Sequence, residues 1–253
     1  MEVNQQDQLI VALDVDTFDE ARHLIDELKD VVSVFKVGSQ LFTACGPMVI
    51  RYLHAKGKKV FLDLKFHDIP NTVANALRSV VQLGAKVHTA VDDQEVPQGM
   101  TEGIFLCTVH IIGGEEMLTY AVAEAKSAAV KFNIPRPLIV GITVLTSQNQ
   151  IDNIDQVVLE RARLAKKCGL DGVVASSLEA RMIREDLGED FIIVTPGIRP
   201  QGADAGDQKR VTTPQEAITQ GSNYLVVGRP IVKADDPLSA ARKITEEIRR
   251  ALI

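Results

Sequence analysis

Residues 59–65 read KVFLDLK, an apolar run that ends in charged side chains. Val60, Phe61 and Leu62 follow one another without polar residues between them, which is typical of a parallel strand buried on both faces. An amphipathic stretch that begins near Thr72 comes soon after the run. This part of the chain therefore has the strand-then-helix order of an α/β protein.

Seven further runs of the same kind recur along the chain, separated by helical patterns. They are LIVALD (9–14), VSVFKVG (32–38), IFLCTVH (104–110), LIVGITVL (138–145), GVVAS (172–176), FIIVTPG (191–197) and YLVVGRP (224–230). Eight strand–helix units in 253 residues predict a (β/α)8 TIM barrel that forms a single domain over residues 1–253. A doubly wound open sheet is the weaker alternative, because the first strand lacks the G-x-G-x-x-G turn of a dinucleotide site.

One segment, residues 85–103, is longer than the usual connection between a helix and the next strand. Its first part, 86–91, competes with 104–110 as the fourth strand. We prefer 104–110, because it is longer and more apolar and leads directly into two glycines. The segment is then an insertion on the face where helices lead into strands, away from the face where barrels carry out chemistry.

Composition and charge argue against several classes of protein. The chain is 45% hydrophobic and 25% charged, the balance of a folded globular protein. A net charge of −6 and the lack of Trp provide neither the basic surface nor the stacking platform of a nucleic-acid-binding protein. No apolar run approaches the ~18 residues that span a bilayer, and the first residues, MEVNQQDQ, lack a signal-peptide pattern. We expect a cytoplasmic protein with no membrane partner.

The cysteines and histidines predict no metal site. The three cysteines lie far apart without C-x-x-C spacing, which argues against a disulfide framework or a structural zinc site. The five histidines form neither an H-x-H motif nor an i, i+4 pair.

Charged residues stand where the predicted strands end, at the catalytic face of a barrel. They are Asp14, Lys36, Asp63, Lys65, Arg199 and Arg229. Because Asp63 and Lys65 are two residues apart on one strand, we expect both side chains to enter the barrel mouth, where Lys36 joins them. Asp68 lies in the loop that follows. A structural ion pair with a helix cap is the alternative, but desolvating several charges together is costly and favours a functional role.

A second group of residues follows the last two predicted strands, where barrels frequently bind phosphate. Gly197-Ile-Arg199-Pro and Gly228-Arg229-Pro each combine a glycine, which lets backbone N–H groups approach an anion, with a guanidinium. Tight turns with solvated arginines are the alternative for either motif alone. The polar stretch 201–210 between them has the composition of a lid, with Gln208 as the side chain best placed to reach a phosphate.

Together these residues resemble a known family. Residues 63–72, DLKFHDIPNT, with the motifs around Asp14, Lys36, Arg199 and Arg229, are similar to bacterial orotidine 5′-phosphate decarboxylases over nearly the whole chain. The resemblance implies a homodimeric barrel that converts orotidine 5′-monophosphate to UMP and CO2, in pyrimidine biosynthesis, with neither metal nor organic cofactor. The segment 85–103 departs from the family pattern.

The resemblance also implies roles for individual residues. Lys65 is expected to donate the proton, and Lys36, Asp63 and Asp68 to complete an alternating charged array. Asp68 and Thr72 are expected to reach into the partner subunit's site.

The remaining implied residues contact the substrate. Asp14 and Lys36 are expected to hold the ribose hydroxyls, and Thr146 the pyrimidine edge. Ile69 belongs to the substrate-binding set, and four residues are expected to bind the phosphate: Arg199, Gln208, Gly228 and Arg229.

Two other functions suit part of this pattern. A Mg²⁺-dependent aldolase or hexulose-phosphate synthase could also use the D-x-K-x-x-D motif. A catalytically silent phosphate-binding scaffold, with 85–103 as a partner epitope, is the second alternative, although it has no need of a costly charge cluster.

Overall fold

Eight parallel strands close into a barrel in the order in which they occur along the chain. The computed structural model describes residues 4–85, 103–145, 148, 151–200 and 212–252. The strands are β1 (Leu9–Ala12), β2 (Val34–Gly38), β3 (Lys59–Phe66), β4 (Leu106–His110), β5 (Leu138–Ile142), β6 (Gly172–Val174), β7 (Ile192–Thr195) and β8 (Tyr224–Val227). The predicted TIM barrel is thus confirmed, and 104–110 rather than 86–91 contains its fourth strand.

Helices connect the successive strands and cover the outside of the barrel. They are α1 (Phe18–Leu28), α2 (Ser39–Cys45), α3 (Met48–Ala55), α4 (Pro70–Ala85), α5 (Gly114–Phe132), α6 (Ile154–Lys167), α7 (Ser177–Leu187), α8 (Pro214–Thr219), α9 (Arg229–Val232) and α10 (Pro237–Arg250). Thr17 and Thr213 each cap a following helix through a reciprocal capping box. None of the described helices combines the length and the apolar character that crossing a bilayer requires.

The two-residue period of the strands divides the apolar side chains between two cores. Phe61 points into the barrel interior with Ile10 and Val34, whereas its neighbours Val60 and Leu62 pack outward against the helices. Two residues further along their strands, Lys36 of β2 and Asp63 of β3 come after Val34 and Phe61 on the same face. Their side chains therefore lie above this apolar layer, at the barrel mouth.

The two ends of the predicted insertion meet at the opposite face. A Cβ atom on Gly84, near the end of α4, would lie 2.5 Å from the Cα atom of Gly103. Gly103 in turn packs against the Pro135 carbonyl, in the connection that leads into β5. Both ends therefore lie where helices lead into strands, and residues 86–102, most of the predicted insertion, lie outside the described part of the chain.

Candidate active site

Four charged side chains meet at the mouth of the barrel with alternating sign. The Lys36 Nζ atom lies 2.9 Å from Asp14 Oδ1 and 3.7 Å from Asp63 Oδ2. The same Asp63 oxygen accepts a hydrogen bond of 2.8 Å from Lys65 Nζ. The structure thus brings Lys36, Asp63 and Lys65 together at the barrel mouth, and Asp14 rather than Asp68 is the fourth charge beside them. We call Asp14, Lys36, Asp63 and Lys65 the charged array.

Lys65 reaches Asp63 in a different way from the strand alternation that the sequence predicts. Lys65 is not regular strand, because its φ angle is +52°, in the left-handed region that costs energy for a residue with a side chain. The pairing of β3 with β4 shifts register between Leu62 and Phe66, which marks a bulge at Lys65. The Lys65 ammonium thus reaches Asp63 from a bulged backbone rather than through simple strand alternation.

The middle of the charged array is withdrawn from water. The side chains of Lys36 and Asp63 are each only 11% exposed, whereas Lys65 is 36% and Asp14 50% exposed. Burying charges is costly unless each has a partner, and removing one partner leaves the other uncompensated. Every member of the array has an opposite charge beside it, and two of its ammonium groups line the pocket described next.

A pocket that is open to solvent lies above the barrel's apolar layer. Lys36, Asp63 and Lys65 line one side of it. Apolar side chains from the strands around the barrel supply much of the rest: Phe61, Ile142, Val174, Val194 and Val226. Such a pocket suits a small, partly apolar ligand with a polar edge toward the ammonium groups.

The predicted phosphate motifs follow β7 and β8 at this same end of the barrel. Arg199 is buried, its backbone N–H donates to the Thr212 carbonyl, and its guanidinium donates to the Ile198 carbonyl. Arg229 is exposed at the start of α9. A Cβ atom on the preceding residue, Gly228, would lie 3.4 Å from Asp14 Oδ2. The β8 motif is therefore adjacent to the charged array.

Three predicted residues stand apart from the charged array. Asp68, Ile69 and Thr72 are exposed at the start of α4, and Ile69 is 66% exposed. The Asp68 carboxylate accepts a hydrogen bond of 2.6 Å from the Ile69 N–H. Two further predicted residues, Thr146 and Gln208, and the lid stretch 201–210 lie outside the described residues.

The structure adds polar residues that sequence reasoning did not single out. Thr108, fully buried on β4, contacts both Asp63 and the Lys65 backbone. Thr143, Ser176 and Glu179 line the pocket and are buried. Thr143 directly follows β5 and Ser176 lies two positions after β6. A polar residue at the end of an apolar run was therefore a signal that could have identified both. Thr108 lies inside an apolar run, and its hydroxyl was the only feature of that run that could have indicated a polar contact in the barrel.

Two histidine rings pack together beside the charged array. The centroids of His67, after β3, and His110, at the end of β4, lie 5.7 Å apart. Burial lowers the pKa of His110, and the nearby positive charges of His67, Lys65 and Arg161 lower it further. Within the described ranges, no group of three or more His, Cys, Asp or Glu side chains is placed to hold a metal ion.

The chain is similar in sequence to a family of known proteins. Residues 7–244 match the model of the "Orotidine 5'-phosphate decarboxylase / HUMPS family". An orotidine 5′-phosphate decarboxylase of Moorella thermoacetica is 45% identical to the chain over 255 aligned positions, which cover 97% of the chain and 94% of the relative. Its namesake from Geobacter sp. (strain M21) is 43% identical, with 95% of each protein covered.

A solved structure resembles the chain over nearly its whole length. The crystal structure of orotidine 5′-phosphate decarboxylase from Lactobacillus acidophilus superimposes with a TM-score of 0.75 at 35% identity, covering 96% of this chain and 99% of that one. An uncharacterized conserved protein from Geobacillus kaustophilus gives a TM-score of 0.76 at 30% identity, covering 95% and 99%.

Proposed function

Because the chain belongs to the orotidine 5′-phosphate decarboxylase / HUMPS family, we propose that it decarboxylates orotidine 5′-monophosphate to UMP with Lys65 as the proton donor. The observation that carries this proposal is the charged array. Its two ammonium groups share one buried carboxylate at the wall of a largely apolar pocket. This is a lyase reaction of pyrimidine biosynthesis, and we place the enzyme in the cytoplasm with that pathway.

The chemical difficulty lies at C6 of the pyrimidine. When the bond between C6 and the carboxylate breaks, its electron pair stays on C6 in the plane of the ring, where the π-system cannot delocalise it. An ammonium about 4 Å away stabilises that charge by about 4 kcal/mol at an effective dielectric constant near 20. Lys65 then gives C6 a proton, which leaves UMP, CO2 and a neutral amine that water reprotonates.

Lys36 and Asp63 hold the Lys65 ammonium in position for this step. Asp63 binds Lys65 at 2.8 Å, and the Lys36 Nζ atom lies 3.7 Å from the same carboxylate oxygen. An array assembled before the substrate arrives need not reorganise during the reaction, which is the basis of electrostatic catalysis. We assign the ribose hydroxyls to Asp14 and Lys36, which are in contact at 2.9 Å, and the pyrimidine edge to Thr146.

One charge cannot account for the ~8–23 kcal/mol by which enzymes lower barriers. We assign part of the remainder to binding of the phosphate, which lies far from C6. Arg199 and Arg229 would bind it with Gly228, and Gln208 from the 201–210 loop would close over it. Binding energy from this remote group can then serve to assemble and dry the site around the ring.

The exposed residues at the start of α4 suit a second copy of the chain. Asp68 and Thr72 do not contact the charged array of their own subunit in the described residues, and Ile69 exposes an apolar side chain beside them. We propose a homodimer in which Asp68, Ile69 and Thr72 complete the partner's site. Asp68 then adds the last negative charge of the alternating series.

The function is tested by following the ultraviolet absorbance of orotidine 5′-monophosphate with purified protein, with and without EDTA. We expect turnover at the same rate in both. Absence of turnover, together with EDTA-sensitive reaction of a sugar phosphate, would favour the hexulose-phosphate synthase alternative. Binding of UMP without turnover of any substrate would favour the silent scaffold.

A further inference from the structure

We propose that Thr108 is the residue that positions Lys65 and Asp63 for the reaction. It is fully buried on β4, and its hydroxyl makes two hydrogen bonds to the charged array. This inference rests on the proposed decarboxylase activity, but it concerns the geometry of the array and can be tested on that geometry directly.

The first contact holds the Lys65 backbone. Phe61 and Leu62 pair in register with Leu106 and Cys107, and pairing resumes only at Phe66 with Val109. Residues 63–65 of β3 therefore stand opposite Thr108 alone. At this bulge the Lys65 N–H donates a 2.8 Å hydrogen bond to the Thr108 hydroxyl.

This bond stabilises a backbone conformation that Lys65 would not adopt by itself. Its φ angle of +52° is disfavoured for a residue with a Cβ atom, and such a conformation persists only where its surroundings impose it. An extended Lys65 would start its side chain from a different direction. Thr108 thus helps to determine where the ammonium points.

The second contact orients the Asp63 carboxylate. A threonine hydroxyl has one proton to donate, and here it is directed at Asp63 Oδ1 over 3.1 Å. The other oxygen, Oδ2, then faces the ammonium groups of Lys65 at 2.8 Å and Lys36 at 3.7 Å. With Oδ1 held by Thr108, the carboxylate plane is fixed so that one oxygen serves both lysines.

Both contacts use the hydroxyl and neither uses the methyl group, so matched variants can separate the two parts of the side chain. Thr108→Val keeps the shape and removes the hydroxyl, whereas Thr108→Ser keeps the hydroxyl. Thr195 on β7 provides the control, because it is equally buried and, in the part of the chain that the structure describes, its hydroxyl hydrogen-bonds to the Ser222 hydroxyl at 2.7 Å rather than to the charged array. Thr195→Val therefore measures the loss of a buried hydroxyl outside the array.

We expect T108V to lower kcat on the order of a hundredfold, the size of effect produced by small misplacements of reacting groups. Its affinity for UMP and its KM should change only a few-fold, because the phosphate and ribose contacts remain. T108S should recover most of the rate, and T195V should keep it. Unchanged kcat in T108V, or equal losses in T108S and T108V, would overturn the proposal.

A crystal structure of T108V gives a readout that does not depend on turnover. The Lys65–Asp63 contact should lengthen beyond 2.8 Å and Lys65 should leave the left-handed region. An unchanged charged array in that structure would overturn the positioning role of Thr108, whether or not the wild-type chain is active. An inactive wild-type chain would refute the proposed function instead. Should T108V not fold, Thr108→Ala and Thr195→Ala replace the pair, and wild-type kcat in T108A would again overturn it.

Discussion

A methyl group added to Gly38 would lie 2.9 Å from the Nζ atom of Lys36, closer than a Cβ atom normally approaches another heavy atom. Gly38 ends β2, and its φ of −92° is open to any residue, so the glycine is needed for space rather than for backbone freedom. The ammonium is the end of a flexible side chain and would move aside. It would then leave its contacts with Asp14 and Asp63.

Gly38→Ala should therefore lower kcat/KM while leaving the fold stable. We expect a loss of about tenfold, equivalent to about 1.4 kcal/mol of transition-state stabilisation. Steady-state kinetics of G38A give the loss, and a thermal melt checks the fold. In a Lys36→Met background the added methyl meets no ammonium, so the same substitution should cost little; an equal loss there would show that Lys36 is not the cause.

Lys65→Ala should reduce turnover by about 10³-fold or more, because it removes both the charge beside C6 and the proton donor. UMP binding should remain measurable by calorimetry. Lys59 offers a matched control on the same strand, since it pairs with Asp7 at 2.5 Å at the opposite end of the barrel. Lys59→Ala should reduce stability and preserve kcat, and substantial activity in K65A would remove the role we assign to Lys65.

Orotidine, the substrate without its phosphate, should show a much lower kcat/KM than the full nucleotide if remote binding energy assembles the site. Arg229→Ala should impair the reaction of the nucleotide and leave that of orotidine nearly unchanged, because the missing arginine then has no phosphate to bind. Equal kcat/KM values for the two substrates in the wild-type enzyme would contradict this use of binding energy.

His54 on α3 should make the folded state sensitive to acid. Its side chain is buried, neither ring nitrogen has a hydrogen-bond partner in the described structure, and burial lowers its pKa from 6.5 to about 4. Below pH 6.5 the His54 ring becomes protonated in the unfolded chain, whereas in the folded chain it stays neutral until about pH 4. Folding stability is therefore lost as the pH falls through this window, by about 2 kcal/mol at about pH 5.

Urea titrations at about pH 7 and pH 5 measure this loss. His54→Leu should make the unfolding free energy less dependent on pH over that range. His23→Gln is the control, because His23 is 83% exposed and pairs only loosely, at 4.0 Å, with Glu27. The same pH dependence in H54L and wild type would show that another group is responsible.

Replacing residues 85–103 by a single glycine should leave catalysis largely intact. Gly84 and Gly103 lie so close together that a Cβ atom on Gly84 would be 2.5 Å from the Cα atom of Gly103. A single peptide bond can therefore join Gly84 to a glycine at the position of Gly103. The join is also on the face opposite the charged array. The kinetic constants and the melting temperature of the shortened chain test this, and a folded but inactive protein would contradict it.

Much of the fold and part of the site follow from local sequence patterns. Uninterrupted apolar runs such as residues 60–62 indicate buried parallel strands, and the charges that end them indicate the catalytic face. The fourth strand could be chosen over its competitor on length and apolar character alone. These signals are readable because strand and helix periods are properties of short stretches of chain.

Other parts of the site depend on contacts between distant residues. The left-handed backbone of Lys65 arises where β3 loses register with β4, and no pattern around Lys65 predicts it. Thr108 contacts the charged array only because the barrel places its hydroxyl against Asp63, 45 positions earlier in the chain.

The amino-acid sequence by itself thus determined the barrel, the end of it that carries the chemistry and the residue types gathered there, since these follow from periodicity and composition. Only the tertiary structure decided how the charges face one another and that Thr108 holds two of them, because hydrogen bonds between neighbouring strands depend on register. Register is a relation between segments far apart in the chain, and no single segment contains it.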